Sequence, residues 1–278
     1  MAGKRTQTKP HTGLKLVGSV TMLVTAALLL MPLAGTADAG SAAPVTPKEA
    51  VAASPWGQRL PSVAKADIYL TEDYSAFRNN TVVPLSPPVE DTYFADAVFL
   101  GDSRTEGFKL YSGLKEGTYF YATGANVESV LSKRTWKTPQ GSVSLLDAMK
   151  NTDPAKVYVM LGVNELGWPR TDMFRQRYTK VIQRIQDDHP DAEIVLQSIL
   201  PVTLTQENKG TYVNNRRILE YNQVIEELAV EHGCRYLNVA EAVTDPDGFL
   251  PEDLSFDGVH LNRAGCRLWL DYLRTHSL

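Results

Sequence analysis

Short apolar runs alternate with helical patterns along most of the chain, and this alternation limits the fold more than any other feature. Five runs have the length and composition of buried strands, and four of them stop at Gly or Pro. They cover residues 95–100, 118–122, 156–161, 193–200 and 235–239. Strands and helices in this order predict right-handed crossovers and a parallel sheet with helices on both faces.

Three amphipathic patterns mark the clearest helices. The first has apolar residues at positions 174, 178, 181, 182 and 185, and it must stop before Pro190. The second has apolar residues at 218, 221, 225 and 228, with Asn214 or Asn215 as its N-cap and Gly233 at its end. A last helix is predicted to begin near Asn262 and to turn Leu268, Trp269, Tyr272 and Leu273 inward.

The first forty residues are predicted to export the rest of the chain. Four Lys or Arg residues precede an uncharged stretch over 16–37, and Ala37-Asp38-Ala39 places small residues where a signal peptidase cuts. An uncleaved anchor is the alternative, since 22 uncharged residues could also span a bilayer. We therefore expect a signal peptide or membrane anchor over 1–40, a Pro- and Ala-rich linker with an irregular lead-in over 41–92, and one folded domain over 93–278.

The balance of charge argues against a nucleic-acid partner. Beyond residue 40 the chain has 24 Lys and Arg against 31 Asp and Glu, a net charge of −7. A protein that binds duplex needs a basic surface to neutralise phosphates. Nucleic acid is therefore not an expected partner, and contact with a membrane is expected only through the N-terminal segment.

Candidate site residues stand directly after three of the predicted strands. In a sheet of this kind the ligand site lies beyond the carboxyl ends of the strands, where the strand order reverses. Ser103 follows the first strand, Gly124 the second and Asn164 the third. Ser103 could be a nucleophile or an ordinary helix cap, because serine is suited to both. Gly124 and Asn164 could offer N–H donors to a developing oxyanion, or could form simple turns.

One of the five histidines has the setting of a catalytic base. The other four lie in the leader, near the C-terminus or at predicted helix ends, where a cation suits the helix dipole. His260 lies in a loop before the last helix, with Asp257 three residues ahead. A serine is inert at neutral pH without an adjacent base, and the base needs an orienting partner. His260 and Asp257 could supply both roles.

Together these segments resemble the SGNH/GDSL hydrolase family. The family is named after a Gly-Asp-Ser block and after Ser, Gly, Asn and His residues in four blocks; the matching residues here are Ser103, Gly124, Asn164 and His260. The resemblance covers about residues 91–278. It implies a flavodoxin-like three-layer α/β/α fold with a central five-stranded parallel sheet, and a hydrolase domain over 93–278. Two positions depart from the common pattern and could bear on the substrate: Arg104 after the Gly-Asp-Ser block, and Glu165 after Asn164.

The resemblance also implies a mechanism. Ser103 would attack an ester carbonyl while His260 takes its proton and Asp257 orients the imidazole. The backbone amides of Ser103 and Gly124 and the side chain of Asn164 would meet the oxyanion. Water would then release the acyl group, and no metal or organic cofactor is expected.

An exported domain on a tether meets cell-envelope and environmental polymers first. The expected substrate is therefore a short-acyl ester, above all an O-acetyl group on polysaccharide. One alternative is an O-acyltransferase that passes the same acyl-enzyme to a sugar hydroxyl. Another is a non-catalytic carbohydrate-binding module that shares the fold. Trp168, shortly after Asn164, could line the substrate site, or it could be a packing or rim residue.

The two cysteines, Cys234 and Cys266, enclose Asp257 and His260 in the chain. An even number of cysteines in an exported protein permits a disulfide, which would brace the loop that carries the base. Two buried free thiols are the alternative.

Overall fold

A computed structural model describes residues 81–278, and the leader predicted over 1–40 and most of the linker predicted over 41–92 lie outside the described residues. Five strands form the central sheet. In chain order they are β1 (Ala97–Gly101), β2 (Thr118–Tyr121), β3 (Lys156–Met160), β4 (Glu193–Gln197) and β5 (Arg235–Leu237). All neighbouring pairs are parallel, in the order β2-β1-β3-β4-β5. The five-stranded parallel sheet expected from the alternation is confirmed, and its strand order reverses between β1 and β3.

The buried residues of β1, β3 and β4 are almost all apolar because both faces of these strands are covered. In β1, Val98 and Leu100 belong to one core cluster, whereas Ala97 and Phe99 belong to a second. The same alternation continues in β3 and β4. Successive side chains of a strand point to opposite faces. The sheet therefore separates two hydrophobic cores.

Four long helices cover these cores: α1 (Ser103–Tyr111), α2 (Thr171–Asp188), α3 (Asn215–His232) and α4 (Arg263–Thr275). The buried apolar side chains of α2 and α3 belong to the first cluster, and those of α1 and α4 to the second. The result is the three-layer α/β/α arrangement that the sequence predicts, with two of these helices on each face.

The helix ends follow the predicted capping chemistry. Asn214 caps α3 by accepting the N–H of Arg217, and Gly233 ends that helix in the left-handed region at φ 66°. The predicted inward face of α4 is wrong at Leu268, which is 41% exposed. Its buried stripe runs through Cys266, Trp269, Leu270 and Leu273, one helical turn apart.

Several short elements connect the layers and are too short for sequence periodicity to reveal. An antiparallel hairpin pairs Trp136–Thr138 with Gly141–Val143. Single helical turns cover Ser129–Ser132, Leu145–Met149 and Leu204–Glu207. Turns of 3-10 helix cover Asp91–Phe94, Val163–Glu165, Val239–Ala242 and Glu252–Leu254.

The first described residues run along the outer edge of the sheet beside β5. Val82 forms a parallel bridge to Tyr236, and the Val83 N–H donates to the Tyr236 carbonyl over 2.9 Å. The Val89 N–H donates to the carbonyl of Arg274 in α4 over 2.9 Å. This segment therefore covers the β5 edge, which would otherwise expose unpaired backbone groups. Within residues 81–278, no helix is both long and apolar enough to cross a membrane.

Cys234 and Cys266 are both free, and both are buried. Cys234 packs in the first core cluster and Cys266 in the second, on the other side of the sheet. The disulfide that the cysteine count permits is therefore not formed, because the sheet lies between the two side chains. Burial raises the pKa of each thiol to about 12, which keeps both unreactive.

Candidate active site

Ser103 is the first residue of α1, directly beyond the end of β1. Asp102, not Ser103, fills the N-cap position, since its Oδ1 accepts the Arg104 N–H over 2.8 Å. The Ser103 hydroxyl is left free for another partner, and it lies 2.9 Å from His260 Nε2. A carboxylate cap thus removes the capping role that the sequence alone left open for the serine.

Gly101 allows this turn to sit tightly on the sheet. A Cβ at this position would overlap the Thr105 hydroxyl and would lie 2.7 Å from the Met160 carbonyl of β3. Only a residue without a side chain fits there. The first turn of α1 is therefore seated against the carboxyl end of β3, at the point where the strand order reverses.

Asp257 and His260 lie in one short loop before α4. His260 Nδ1 is 2.8 Å from Asp257 Oδ2. The other carboxylate oxygen, Oδ1, accepts the backbone N–H groups of Val259 and His260 at 2.9 and 2.8 Å. The loop thus aims the carboxylate at the imidazole, and the imidazole at Ser103. A nucleophile, a base and a group that orients the base are therefore each within hydrogen-bonding distance of the next.

The Asp257 carboxyl is kept ionised by its own loop. Partial burial raises its pKa, but hydrogen bonds from the backbone and side chain of His260 and from the Val259 N–H outweigh that cost, so the net pKa lies below the ordinary value. The side chains of His260 and Asp257 are 39% and 53% exposed. The pair is therefore open to solvent and reachable from outside.

Gly124 and Asn164 come to the same edge of the sheet. Gly124 is exposed, with φ 72°, and a Cβ there would meet no atom within 4 Å. The Asn164 Nδ2 donates to the Ala125 carbonyl over 2.7 Å and approaches Asp102 Oδ2 at 3.4 Å. Asn164 therefore stands between the Gly124 loop and the cap of the nucleophile helix.

Two buried groups of opposite charge, Asp102 and Arg104, lie beneath the serine turn without a direct contact between their side chains. Burial raises the pKa of Asp102 to about 6, although the positive charge of Arg104 opposes this rise. Burial lowers the pKa of Arg104 to about 10, and its Nη1 donates to the Leu200 carbonyl over 3.0 Å. Its Nε and Nη2 have no hydrogen-bond partner among the described residues. Sequence reasoning missed this role, because an arginine in the first turn of a helix is ordinarily exposed.

Glu165, one of the two departures from the family pattern, is also fully buried, so its side chain has no surface that a substrate could contact. Its Oε1 accepts the Val127 N–H over 2.7 Å, and its backbone carbonyl accepts the Tyr221 hydroxyl over 2.7 Å. Burial raises its pKa to about 8; the Val127 hydrogen bond opposes this, and the charge of Asp102 adds to it. The carboxyl therefore holds its proton at neutral pH.

Trp168 is half-buried and packs against the first core cluster. Its carbonyl accepts Arg217 Nη2 over 2.7 Å, and the same guanidinium also binds the Leu166 carbonyl. Next to it, the ring of Tyr212, 60% exposed, lies against Gly167. Trp168 therefore packs against the core, and Tyr212, from a different segment of the chain, is the more exposed aromatic side chain beside it.

The segment that carries Tyr212 touches both functional loops. Near its start, the Thr203 N–H donates to the Gly258 carbonyl over 3.0 Å, between Asp257 and His260 in the chain. At its far end, Tyr212 covers Gly167, three residues after Asn164. Residues 203–212 therefore link the base loop to the Asn164 loop. In the part of the chain that the structure describes, no cluster of three or more His, Cys, Asp or Glu side chains could hold a metal ion.

Comparison with known proteins places this geometry in context. The GDSL-like lipase/acylhydrolase family model matches residues 99–268, more than half of the chain. The sequence has no significant match among curated proteins. Three solved structures are similar to this chain in fold, each at less than 25% identity.

A candidate platelet activating factor from Streptococcus pneumoniae is 24% identical, with a TM-score of 0.54, over 76% of this chain and 98% of its own. A candidate SGNH hydrolase from Slackia heliotrinireducens is 17% identical, with a TM-score of 0.50, over 65% and 97%. A candidate GDSL-like lipase from Parabacteroides merdae is 15% identical, with a TM-score of 0.50, over 68% and 95%.

Proposed function

The chain belongs to the GDSL-like lipase/acylhydrolase family and is a carboxylic ester hydrolase, and from that premise we propose that it is an exported serine esterase that removes short acyl groups, above all O-acetyl groups, from polysaccharide. The observation that carries the catalytic part is the hydrogen-bonded series from Ser103 through His260 to Asp257, with links of 2.9 and 2.8 Å. Each residue has the partner that its role needs.

In the first half of the proposed reaction, Ser103 Oγ attacks the ester carbonyl carbon and passes its proton to His260 Nε2. Asp257 holds the Nδ1–H and stabilises the imidazolium. The negative charge on the former carbonyl oxygen is met by the Ser103 and Gly124 amides and by the Asn164 side chain. The contact of Asn164 with Asp102 is long at 3.4 Å, so this N–H is the one an oxyanion competes for.

In the second half, the tetrahedral intermediate collapses, and the sugar hydroxyl leaves with the proton that His260 donates. An acyl-Ser103 ester remains. Water then attacks this ester while His260 accepts a proton, and the acid leaves as Ser103 regains its hydrogen. The enzyme returns to its starting state without a cofactor.

Two features support a small acyl group on a large carrier. The triad is open, because about half of the Asp257 side chain and more than a third of the His260 side chain are exposed. An acyl group on a polymer can reach such a site without the carrier entering a tunnel. The exposed ring of Tyr212, on the segment that links the two functional loops, offers a flat apolar face of the kind that packs on sugar rings.

Export is part of the proposal and rests on the first forty residues, with their basic start, uncharged middle and Ala37-Asp38-Ala39. Whether this leader is cleaved or retained as an anchor, the enzyme would work outside the cytoplasm. A measurement of the N-terminal residue of the mature protein from the native host tests this part: a start at Gly40 supports cleavage, and a cytoplasmic location of the full chain contradicts export.

The catalytic proposal is tested by acetate release from a panel of acetylated glycans and by hydrolysis of p-nitrophenyl acetate. Ser103→Ala should lower kcat by roughly 10³-fold or more on both substrates. Ser132→Ala, an exposed serine on a different helical turn, is the matched control and should behave as wild type.

The outcomes separate the parts of the proposal. Equal activity of Ser103→Ala and wild type would overturn the choice of nucleophile. Hydrolysis of p-nitrophenyl acetate without acetate release from any glycan would reject the polymer substrate alone. Transfer of acetyl to an added polysaccharide would identify an O-acyltransferase, and glycan binding without any turnover would identify a non-catalytic module.

A further inference from the structure

Two adjacent residues after β3 hold the loop that follows β2. The Asn164 side chain donates to the Ala125 carbonyl, and the Glu165 side chain accepts the Val127 N–H, both over 2.7 Å. These four residues form what we call the loop clamp. The clamp begins one residue after Gly124. It joins the two loops that carry the expected oxyanion donors by two hydrogen bonds, one donated by Asn164 and one accepted by Glu165.

Glu165 acts on this clamp from inside the protein. Its side chain has no solvent exposure, so it cannot exchange a proton with a substrate or bind one. The backbone at Glu165 is also held by α3, because the Tyr221 hydroxyl donates to the Glu165 carbonyl over 2.7 Å. A buried carboxyl with one hydrogen bond to a neighbouring loop acts on that loop's position.

Among the described residues, the charge that acts most on this carboxyl is the negative one of Asp102, which opposes its ionisation. Asp102 faces it from the α1 turn, Tyr178 from α2 and Tyr221 from α3. The nearby guanidinium of Arg217 lies over the Tyr221 ring at 5.6 Å and binds backbone carbonyls. Glu165 Oε2 has no partner among the described residues. Backbone N–H groups, that of Val127 first, compensate a carboxylate there only in part, so the cost of burying the charge favours the neutral acid.

We propose that Glu165 is a positioning residue of the oxyanion site, which acts as the neutral acid and, through the loop clamp, holds the Gly124 and Asn164 donors at a fixed separation. This inference rests on the proposed function, because donor spacing matters only if an oxyanion forms on the substrate. The neutral form has a second effect: Asp102 already lies 3.4 Å from Asn164 Nδ2, and a second negative charge at Glu165 would further oppose the charge that develops in the transition state.

Two substitutions separate position from charge. Glu165→Gln keeps a carbonyl oxygen for the Val127 N–H and cannot ionise, so it should retain most of the wild-type kcat at pH 7. Glu165→Ala removes the acceptor and should lower kcat by roughly 10²-fold, the usual effect of losing one oxyanion donor, with little change in KM. Wild-type kcat should fall as the pH rises through about 8, whereas the kcat of Glu165→Gln should not.

The assay is p-nitrophenyl acetate hydrolysis from pH 6 to 9.5, with Ser103→Ala as the blank for spontaneous hydrolysis. Asn222→Ala is the matched control, since it removes another buried side chain that accepts a backbone N–H over 2.7 Å, that of Ile199. It should lose thermal stability without the loss of kcat. If Glu165→Ala lost only stability, or if Glu165→Gln kept the alkaline decrease, the proposal would be wrong.

Hydrogen exchange tests the clamp without reference to activity. In Glu165→Ala, amide exchange over residues 124–127 should become faster, while Glu165→Gln should match wild type. A wild-type protein without esterase activity would overturn the proposed function, and the exchange result would still decide whether Glu165 holds the loop. Unchanged exchange in Glu165→Ala would reject the clamp even in an active enzyme.

Discussion

Replacing Glu165 with glutamine should change how the stability of the protein depends on pH. Folding moves this carboxyl from water, where its pKa is 4.5, to a buried position where desolvation raises its pKa to about 8. Between these values the folded state binds a proton that the unfolded state has released. Wild-type stability therefore falls as the pH rises from about 4.5 to about 8, and this contribution is constant above 8.

The size of the effect follows from the two pKa values. One pH unit corresponds to about 1.4 kcal/mol, so the interval from 4.5 to about 8 gives at most roughly 5 kcal/mol. Glutamine does not ionise and lacks this loss. The new amide NH₂ adds an offset, but that offset does not vary with pH. The difference in unfolding free energy, variant minus wild type, should therefore rise with pH and level off near pH 8.

The assay is urea unfolding of both proteins at one-unit steps from pH 5 to pH 9. Asp102, whose pKa burial raises to about 6, titrates in both proteins, so its contribution largely cancels in the difference. Glu90→Gln, at an exposed position, controls for the substitution itself. Parallel stability curves for wild type and Glu165→Gln across this range would refute the reasoning, because they would mean that the buried carboxyl is already ionised.

Three further predictions concern the serine turn and the cysteines. Gly101→Ala should lower the free energy of unfolding by roughly 1–3 kcal/mol in urea melts, because an added Cβ displaces the turn that holds the nucleophile. The same displacement should remove p-nitrophenyl acetate turnover. An active, equally stable variant would contradict the close packing of this turn on the sheet. Arg104→Met should cost roughly 0.5–3 kcal/mol at neutral pH, because it removes the buried positive charge that favours ionised Asp102, and adding Asp102→Asn should recover part of that loss. Simple additivity of the two single-variant losses would argue against an electrostatic interaction between these two groups. Because Cys234 and Cys266 are free and buried, a reducing agent should leave the thermal midpoint unchanged, and a thiol reagent should label them only after denaturation. A lower midpoint on reduction would indicate a disulfide.

Much of the fold follows from local patterns. The five strands lie within two or three residues of the apolar runs that predict them, because strand residues buried on both faces of a sheet are mostly apolar. The capping residues Asn214 and Gly233 are equally local, since a cap depends on the conformation of one residue and its neighbours. Ser103, Gly124 and Asn164 could be predicted to share one site, because ligand sites in parallel sheets lie beyond the carboxyl ends of the strands.

Which side chains of separate elements contact one another depends on the tertiary structure. Local sequence patterns carry no information about these contacts. Leu268 fits a helical stripe as well as its neighbours, but the packing of α4 on the sheet leaves it exposed. Cys234 and Cys266 look like a pair along the chain, but they lie in different cores. A pattern in the sequence records spacing along the chain, whereas contacts between layers depend on where separate elements meet.

The same division applies to the site. The sequence alone determined the residue types and their order: a serine after the first strand, donors after the next two, and one histidine with an aspartate three residues ahead. Only the structure showed that Asp102 takes the cap and frees the Ser103 hydroxyl, and that Arg104 and Glu165 are buried beneath the site. The ionisation of a buried group depends on the charges and dipoles that all surrounding elements place around it, and these are set only when the chain has folded.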